Sequence, residues 1–234
     1  MVQHKDELYP KETRNPENII NNLNILLNWY LENKFSFSRV DLFSGEIWGS
    51  KLGYDVLSTI LDYVKQGLAI DSIVIPSNMS FLLDDKATAV VEYFLDQFYI
   101  QGVDFHFSAS VDGAVIENDT RLFRNEKLQV LKNEEFYEKL GKFCKKHACG
   151  FHPMVAADSI EKWPENYKWW HNWYMERFGD EFNVSALNWL NRFMFLEVRN
   201  PDWTDEKIES YLHWIKFMHE YDITNVFKIN DKDS

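Results

Sequence analysis

Polar and charged residues come directly after several apolar segments of this chain, where a ligand loop would lie. The first group, Ser44, Gly45 and Glu46, follows the largely apolar run 40–43. A short apolar segment that ends in a tight glycine turn with an acidic residue is typical of a ligand loop at the carboxyl end of a buried parallel strand. Comparable positions after later apolar segments are held by Asn78, Ser110, Asp112, His152, Glu197 and Arg199.

Two of these residues, Glu46 and Glu197, are carboxylates that could share acid, base or nucleophile chemistry. In glycoside hydrolases such a pair faces across a cleft at about 5–10 Å. An unrelated α/β hydrolase or glycosidase that uses this pair is therefore one hypothesis. A plain turn in which Glu46 caps the next helix, and a structural ion pair between Glu197 and Arg199, are the alternatives for the same residues.

The chain has only two cysteines, Cys144 and Cys149, which flank the segment 145–148. We expect one half-buried thiol and one incidental thiol near the end of an amphipathic helix. A zinc site made of both cysteines with His147 and His152 is an alternative, although the spacing matches no familiar zinc template. A disulfide is not expected in a reducing compartment.

Apolar periodicity predicts the elements that position these residues. Asn15 and Pro16 are typical of a helix start, and helical spacing recurs after each later apolar run. His106 falls within one strand, where we expect a buried core or interlayer histidine. The order α-β-α-β-α-β-α-β-α-β-α predicts a parallel sheet with helices packed outside it. The predicted strands cover residues 37–43, 72–75, 103–110, 151–156 and 193–198.

Composition limits the class of partner. At 234 residues the chain is long enough for one sizeable domain, and its net charge of -12 argues against a nucleic-acid partner, whose recognition depends on clustered Lys and Arg. No apolar run approaches the roughly 20 residues that span a bilayer, so no membrane segment is expected. The first residues have no secretory character, which makes the cytoplasm the expected location.

Three segments, in this order, resemble motifs of the radical S-adenosylmethionine (SAM) superfamily. Leu42-Phe43-Ser44-Gly45-Glu46 is similar to the Gly-Gly-Glu-Pro strand end of that family. Pro76-Ser77-Asn78-Met79 resembles its Thr-Asn-Gly turn on the next strand. The stretch 107–113, followed by Asn118-Asp119-Thr120-Arg121, resembles its Ser-x-Asp-Gly…His-Asp-x-x-Arg pattern.

The resemblance implies an incomplete TIM-like partial (β/α)6 barrel, with parallel strands, outer helices and the first strand missing. The family's Cys-x3-Cys-x2-Cys motif, which holds a 4Fe–4S cluster, is absent from this sequence. We therefore expect a fragment from a truncated reading frame. Its parts would be a loose segment (1–15), the barrel core (16–222) and a tail (223–234) that is itself clipped.

The resemblance also implies roles for individual residues. Ser44, Gly45 and Glu46 would bind the methionine amino group of SAM, while Ser110 and Arg121 would contact its carboxylate or ribose. Asn78 and Asp112 belong to the matching turns, and His152, Glu197 and Arg199 are substrate-side candidates. From the residues alone, Asn78 satisfying its local backbone, Ser110 as a buried strand residue and Arg121 as a solvated one are the alternatives.

The intact parent protein would cleave SAM to a 5′-deoxyadenosyl radical that abstracts hydrogen from an unknown substrate. The motifs are nearest to members that often act on peptides, so a peptide is one candidate. The 4Fe–4S cluster would exist only in that parent, and this chain alone would be inactive. The alternative is a non-catalytic scaffold that has lost its cluster and uses the aromatic segment 163–189 to hold a partner.

Overall fold

The computed structural model describes residues 15–42, 46–116, 133–178, 195–196 and 203–226. Within these residues the protein has an α/β structure, in which parallel strands form sheets and helices lie outside them. This confirms the prediction of an α/β structure with parallel strands and outer helices. The chain divides into two compact units, Met1–Phe107 and Ser108–Ser234, and each is described by itself.

The strands of the first unit pair in parallel. β1 (Ser36–Phe37) pairs with β3 (Ala69–Ile70), and β2 (Val40–Asp41) pairs with β4 (Ser72–Ser77). β5 (Asp104–Ala109) follows in the strand order β2-β4-β5. The two segments β1 and β2 therefore lie beside β3 and β4, which follow them in the chain.

Helices of the first unit begin at side-chain caps, of which the one at Asn15 is predicted from the sequence. α1 (Pro16–Glu32) begins where the Asn15 side chain accepts from the Glu17 amide at 3.0 Å. α2 (Lys51–Lys65) begins at Ser50, whose hydroxyl oxygen accepts from the Gly53 amide at 3.0 Å. α3 (Asp85–Ile100) begins at Asp84, whose carboxylate accepts from two amides of the first turn. These caps satisfy amides that have no partner within the helix.

The core of the first unit forms between one face of each helix and the sheet. Alternation along the strands buries Ile73 and Ile75 of β4, and Phe105 and Phe107 of β5. His106 lies on the exposed face of β5, so the prediction of a buried histidine is wrong. In a strand of period two, the burial of both phenylalanines requires the residue between them to face away from the core.

Two predicted strands are interrupted in the structure. The strand expected at 37–43 consists of β1 and β2, separated at Ser38 and Arg39. At this interruption, the Ser38 carbonyl accepts from the hydroxyl of Ser72 on β4 at 2.9 Å. The strand expected at 151–156 begins earlier, as β6 (Ala148–Phe151), and resumes after His152 as β7 (Met154–Val155).

The second unit holds the remaining elements. α4 (Glu134–Cys144) precedes β6, and β7 pairs in parallel with β8 (Phe195–Leu196). A 3-10 segment (Ala157–Lys162) leads into α5 (Trp163–Phe178), and α6 (Asp205–Tyr221) continues into a π-helical turn at Asp222–Val226.

Aromatic side chains dominate the core of the second unit. Trp163, Tyr167, Trp170, Trp173 and Tyr174 of α5 are buried. Trp163 packs on Trp214 of α6 with ring centroids 5.2 Å apart. A helix with this many large apolar side chains is stabilised mainly by their burial.

No helix among the described residues combines the length and the apolar character needed to cross a bilayer.

Candidate functional site

The carboxylate of Glu46, which follows β2 in the chain, accepts hydrogen bonds at the end of β4. Glu46 accepts from the Asn78 amide at 2.7 Å through Oε2, and from the Ser77 hydroxyl at 3.0 Å through Oε1. Glu46 also caps the 3-10 turn Ile47–Gly49 by accepting from the Trp48 amide at 3.4 Å. Two predicted cofactor-binding segments, those of Glu46 and Asn78, therefore meet at the carboxyl edge of the sheet.

The turn that receives this carboxylate has a strained backbone. Met79 is fully buried and has a φ of 60°, in the left-handed region that non-glycine residues seldom adopt. Such a conformation costs about 1–3 kcal/mol, and residues of this kind cluster at ligand sites. The turn is held by the Met79 amide, which donates to Ser77 Oγ at 2.9 Å, and by the Ser80 amide, which donates to Asn78 Oδ1 at 2.8 Å.

Hydrogen bonds within the protein already occupy parts of the Asn78 and Glu46 side chains. The side-chain oxygen of Asn78 accepts from the Ser80 amide, as the simpler interpretation of this residue predicts, and its side-chain nitrogen has no acceptor among the described residues. Both oxygens of Glu46 already accept from the protein. Glu46 therefore positions the two turns, a task that differs from acting as a general acid or nucleophile.

The surroundings of Glu46 are acidic. The Tyr54 hydroxyl donates to the Trp48 carbonyl at 2.7 Å, which places this phenol beside the turn that Glu46 caps. Burial raises the pKa of Tyr54, and the nearby carboxylates of Glu46 and Asp84 raise it further. The two carboxylates therefore place negative charge near this phenol.

In the second unit, Asp112 is bonded from several directions. It is fully buried, and its Oδ1 accepts from the Met154 amide at 2.6 Å. Its backbone carbonyl accepts from Asn166 Nδ2 at 2.8 Å and from the indole N–H of Trp170 at 3.1 Å. The turn after β5 is thereby tied both to the start of β7 and to the buried face of α5.

Gly113 completes this turn. Its φ of +108° and the close approach of α5 both require glycine, because an added Cβ would lie 2.4 Å from Asn166 Oδ1 and 2.6 Å from Trp170 Nε1. Asn166 and Trp170 did not enter the sequence-based site. The available signal was a small amide on the otherwise aromatic buried side of α5.

His152 lies beside the same turn. Its amide donates to the Ala109 carbonyl at 2.7 Å, and its side chain is half-buried. Ser110, also half-buried, lies between Ala109 and the Asp112 turn. Three predicted site residues of the second unit, Ser110, Asp112 and His152, are thus brought together.

Several predicted residues lie outside the described part of the chain. They are Ser44, Gly45, Arg121, Glu197 and Arg199. The carboxylate pair of the hydrolase hypothesis includes Glu197, so its separation from Glu46 stays a prediction.

The described residues contain no group of three or more His, Cys, Asp or Glu side chains that could hold a metal ion. Cys144 and Cys149 are both free. The four-residue zinc alternative is therefore not supported by the described side chains.

No protein-family model, no curated protein and no solved structure gives a significant match to this chain.

Proposed function

We propose that this chain is a radical SAM-like core, a partial (β/α)6 barrel lacking its first strand, that binds S-adenosylmethionine beside the hydrogen bond between Glu46, after β2, and Asn78, after β4. The observation that carries the proposal is the 2.7 Å bond from the Asn78 amide to Glu46, which joins two of the three motif segments. Ligands of parallel α/β sheets bind outside the carboxyl ends of the strands, where both residues lie.

The charge of the site supports a cationic ligand. SAM carries a sulfonium and an ammonium group, and the carboxylates of Glu46 and Asp84 both act on Tyr54 beside this edge. Because Glu46 is held by Ser77 and Asn78, we assign it a positioning and electrostatic role. We assign the direct contact with the ammonium group to a backbone carbonyl of the Ser44–Glu46 loop, which would accept a charge-assisted hydrogen bond from it.

The strained turn supports a ligand site at the same place. Met79 is buried in a left-handed conformation directly after Asn78. A turn that only connected a strand to a helix would be less costly with glycine at this position.

The iron–sulfur cluster of the family does not fit these residues. The sequence has two cysteines where the family's cluster loop has three. Both belong to the second unit, Cys144 on α4 and Cys149 on β6. We therefore propose no radical step for these 234 residues. Radical chemistry on a substrate such as a peptide would require cluster thiolates supplied from outside them.

The cysteine count also favours a second candidate function. A non-catalytic SAM-binding scaffold would need Glu46 and Asn78 but no thiolates. The two candidates share the ligand and differ in redox chemistry, so ligand binding is tested first.

Isothermal titration calorimetry of the 234-residue protein with SAM and with S-adenosylhomocysteine tests the proposal. We expect SAM to bind more tightly, because S-adenosylhomocysteine lacks the sulfonium charge. Glu46→Gln should weaken SAM binding by about tenfold or more, because it removes a negative charge whose attraction for a cation about 4 Å away is about 1–4 kcal/mol, and 1.4 kcal/mol is tenfold. The control Glu32→Gln changes an exposed glutamate of α1 and should bind as the wild type does.

The proposal fails if the folded wild-type protein releases no binding heat with SAM. It also fails if Glu46→Gln, with an unchanged circular dichroism spectrum, binds SAM as tightly as Glu32→Gln does.

A further inference from the structure

One edge of the sheet in the first unit has no strand beside it within the described residues. β2 stands at the end of the strand order β2-β4-β5-β6, and β1 pairs with β3 alone. An unpaired edge presents backbone N–H and C=O groups to which another strand can bind. The edge formed by β1 and β2 is therefore open to a further strand.

The paired side of β2 shows which backbone groups point toward the open edge. The Leu42 amide donates to the Val74 carbonyl of β4 at 2.9 Å, and the Ser38 carbonyl accepts from a hydroxyl group of the same strand. The backbone groups of a strand alternate between its two sides from one residue to the next. Arg39 and Asp41 therefore direct their N–H and C=O groups toward the open edge.

These two residues carry opposite charges on the same face of the edge strand. Arg39 Nη2 lies 2.8 Å from Asp41 Oδ1, and the two side chains are 58% and 33% exposed. Because the charges are two positions apart and opposite in sign, the edge is complementary to an antiparallel copy of itself. Each charge can then face its opposite on the other chain.

We propose that β2 pairs with β2 of a second copy of this chain, antiparallel about a two-fold axis at Val40. In this register Arg39 faces the partner's Asp41, and Asp41 faces the partner's Arg39. Both residues of each facing pair direct their backbone groups outward, so each pair exchanges two backbone hydrogen bonds. The interface is isologous, since the same edge is used by both chains.

The charges select this register from its neighbours. A shift of the pairing in one direction would place Arg39 opposite Arg39, and a shift in the other direction would place Asp41 opposite Asp41. Like charges directly opposite each other destabilise a strand pair. Two like charges on this edge would repel a second copy at the central register, whereas the pair that is present attracts it there.

Apolar side chains next to the edge offer further contact area. Phe35, directly before β1, is exposed and contacts the exposed Trp29 of α1 with ring centroids 5.2 Å apart. Ile25 lies one turn before Trp29 on the same helix and is 70% exposed. Specific interfaces bury about 1,200–2,000 Å² in total, which a few backbone bonds alone do not reach. We expect the second copy to cover part of this apolar group as well.

Sedimentation equilibrium of the full 234-residue protein over a concentration series tests the proposal. We expect a monomer–dimer equilibrium. Arg39→Asp and Asp41→Arg each place like charges opposite each other at both facing pairs, and each should weaken dimerisation by about tenfold or more. The two substitutions combined exchange the charges and should restore the wild-type dissociation constant. The control Asp55→Arg breaks the exposed 2.7 Å ion pair with Lys51 on α2 and should leave dimerisation unchanged.

A cysteine cross-link tests the register. Facing residues that do not exchange backbone bonds have Cα atoms about 4.5 Å apart, within the range that a disulfide spans. Val40→Cys should therefore link two chains under mild oxidation, and peptide mapping should join position 40 to position 40. Ser38→Cys is the matched control, because residue 38 would face residue 42 and lie about 14 Å from its own copy.

Three results would overturn the proposal. The wild-type protein could stay monomeric throughout the series, the two single charge variants could dimerise as tightly as the wild type, or Ser38→Cys could cross-link as readily as Val40→Cys. These measurements use no SAM, so their outcome is independent of the proposed SAM site.

Discussion

Two tryptophans one turn apart on α5 allow a direct test of how the Asp112 turn is held. The indole N–H of Trp170 donates to the Asp112 carbonyl at 3.1 Å. The indole N–H of Trp173 is buried and has no partner among the described residues. Both rings are almost fully buried, and both contact Phe151, Trp169 and Tyr174. Trp170→Phe and Trp173→Phe therefore remove similar aromatic surface but different hydrogen bonds.

The magnitudes favour a larger loss for Trp170→Phe. It removes a hydrogen bond whose net contribution to stability is about 0.5–1.5 kcal/mol. Trp173→Phe instead removes a buried N–H group without a partner, whose burial costs the folded state about 1–3 kcal/mol. Arg177 lies 4.8 Å from the Trp173 ring centroid. Trp173→Phe also weakens this cation–π contact, which destabilises that variant by at most about 1 kcal/mol. We expect Trp170→Phe to be the more destabilising substitution by about 1–3 kcal/mol.

Urea unfolding of both variants, followed by circular dichroism, measures this difference. The transition midpoint of Trp170→Phe should lie below that of Trp173→Phe with an unchanged denaturant slope, which marks a change in stability alone. Equal midpoints, or a lower midpoint for Trp173→Phe, would refute the assignment of the Asp112 carbonyl as the partner that matters.

Two further predictions concern the second unit. Gly113→Ala should destabilise the protein more than Gly67→Ala. Both glycines have positive φ angles (+108° and +106°), but only the Cβ at position 113 would meet atoms within 4 Å. Equal melting temperatures of the two variants would contradict this prediction. Burial lowers the pKa of His171 below 6.5, with a partly opposing effect of Asp222, so the unfolded chain binds this proton more readily. The stability that neutral His171 contributes is therefore present above pH 6.5 and is lost as the pH falls through the folded pKa. His171→Gln should lose less stability on acidification than the wild type in urea titrations on either side of that value, and parallel pH profiles would contradict it.

Local signals predicted the elements of the fold well. Asn15 and Pro16 marked the start of α1, and the predicted strand 103–110 contains β5 with its buried Phe105 and Phe107. The phase of strand alternation also decides that His106 faces outward. That expectation failed because histidine was treated as a core residue in spite of its neighbours.

The site was predictable to the extent that it depends on strand ends. Glu46 and Asn78 each follow a predicted strand, so their meeting at one edge is a consequence of parallel pairing. The partners of the Asp112 turn could not be found in this way. Asn166 and Trp170 are 54 and 58 positions away from Asp112, and their approach depends on how α5 packs. Packing of this kind is set by side-chain shape across distant segments and leaves no local pattern.

The location of the ligand is the most direct test of the proposed function. A photoreactive SAM analogue, irradiated with the wild-type protein and mapped by peptide mass spectrometry, should label the segments around Glu46 and Asn78. An excess of unlabelled SAM should suppress this labelling. Label confined to other segments, or label that SAM does not displace, would contradict a SAM site beside Glu46 and Asn78.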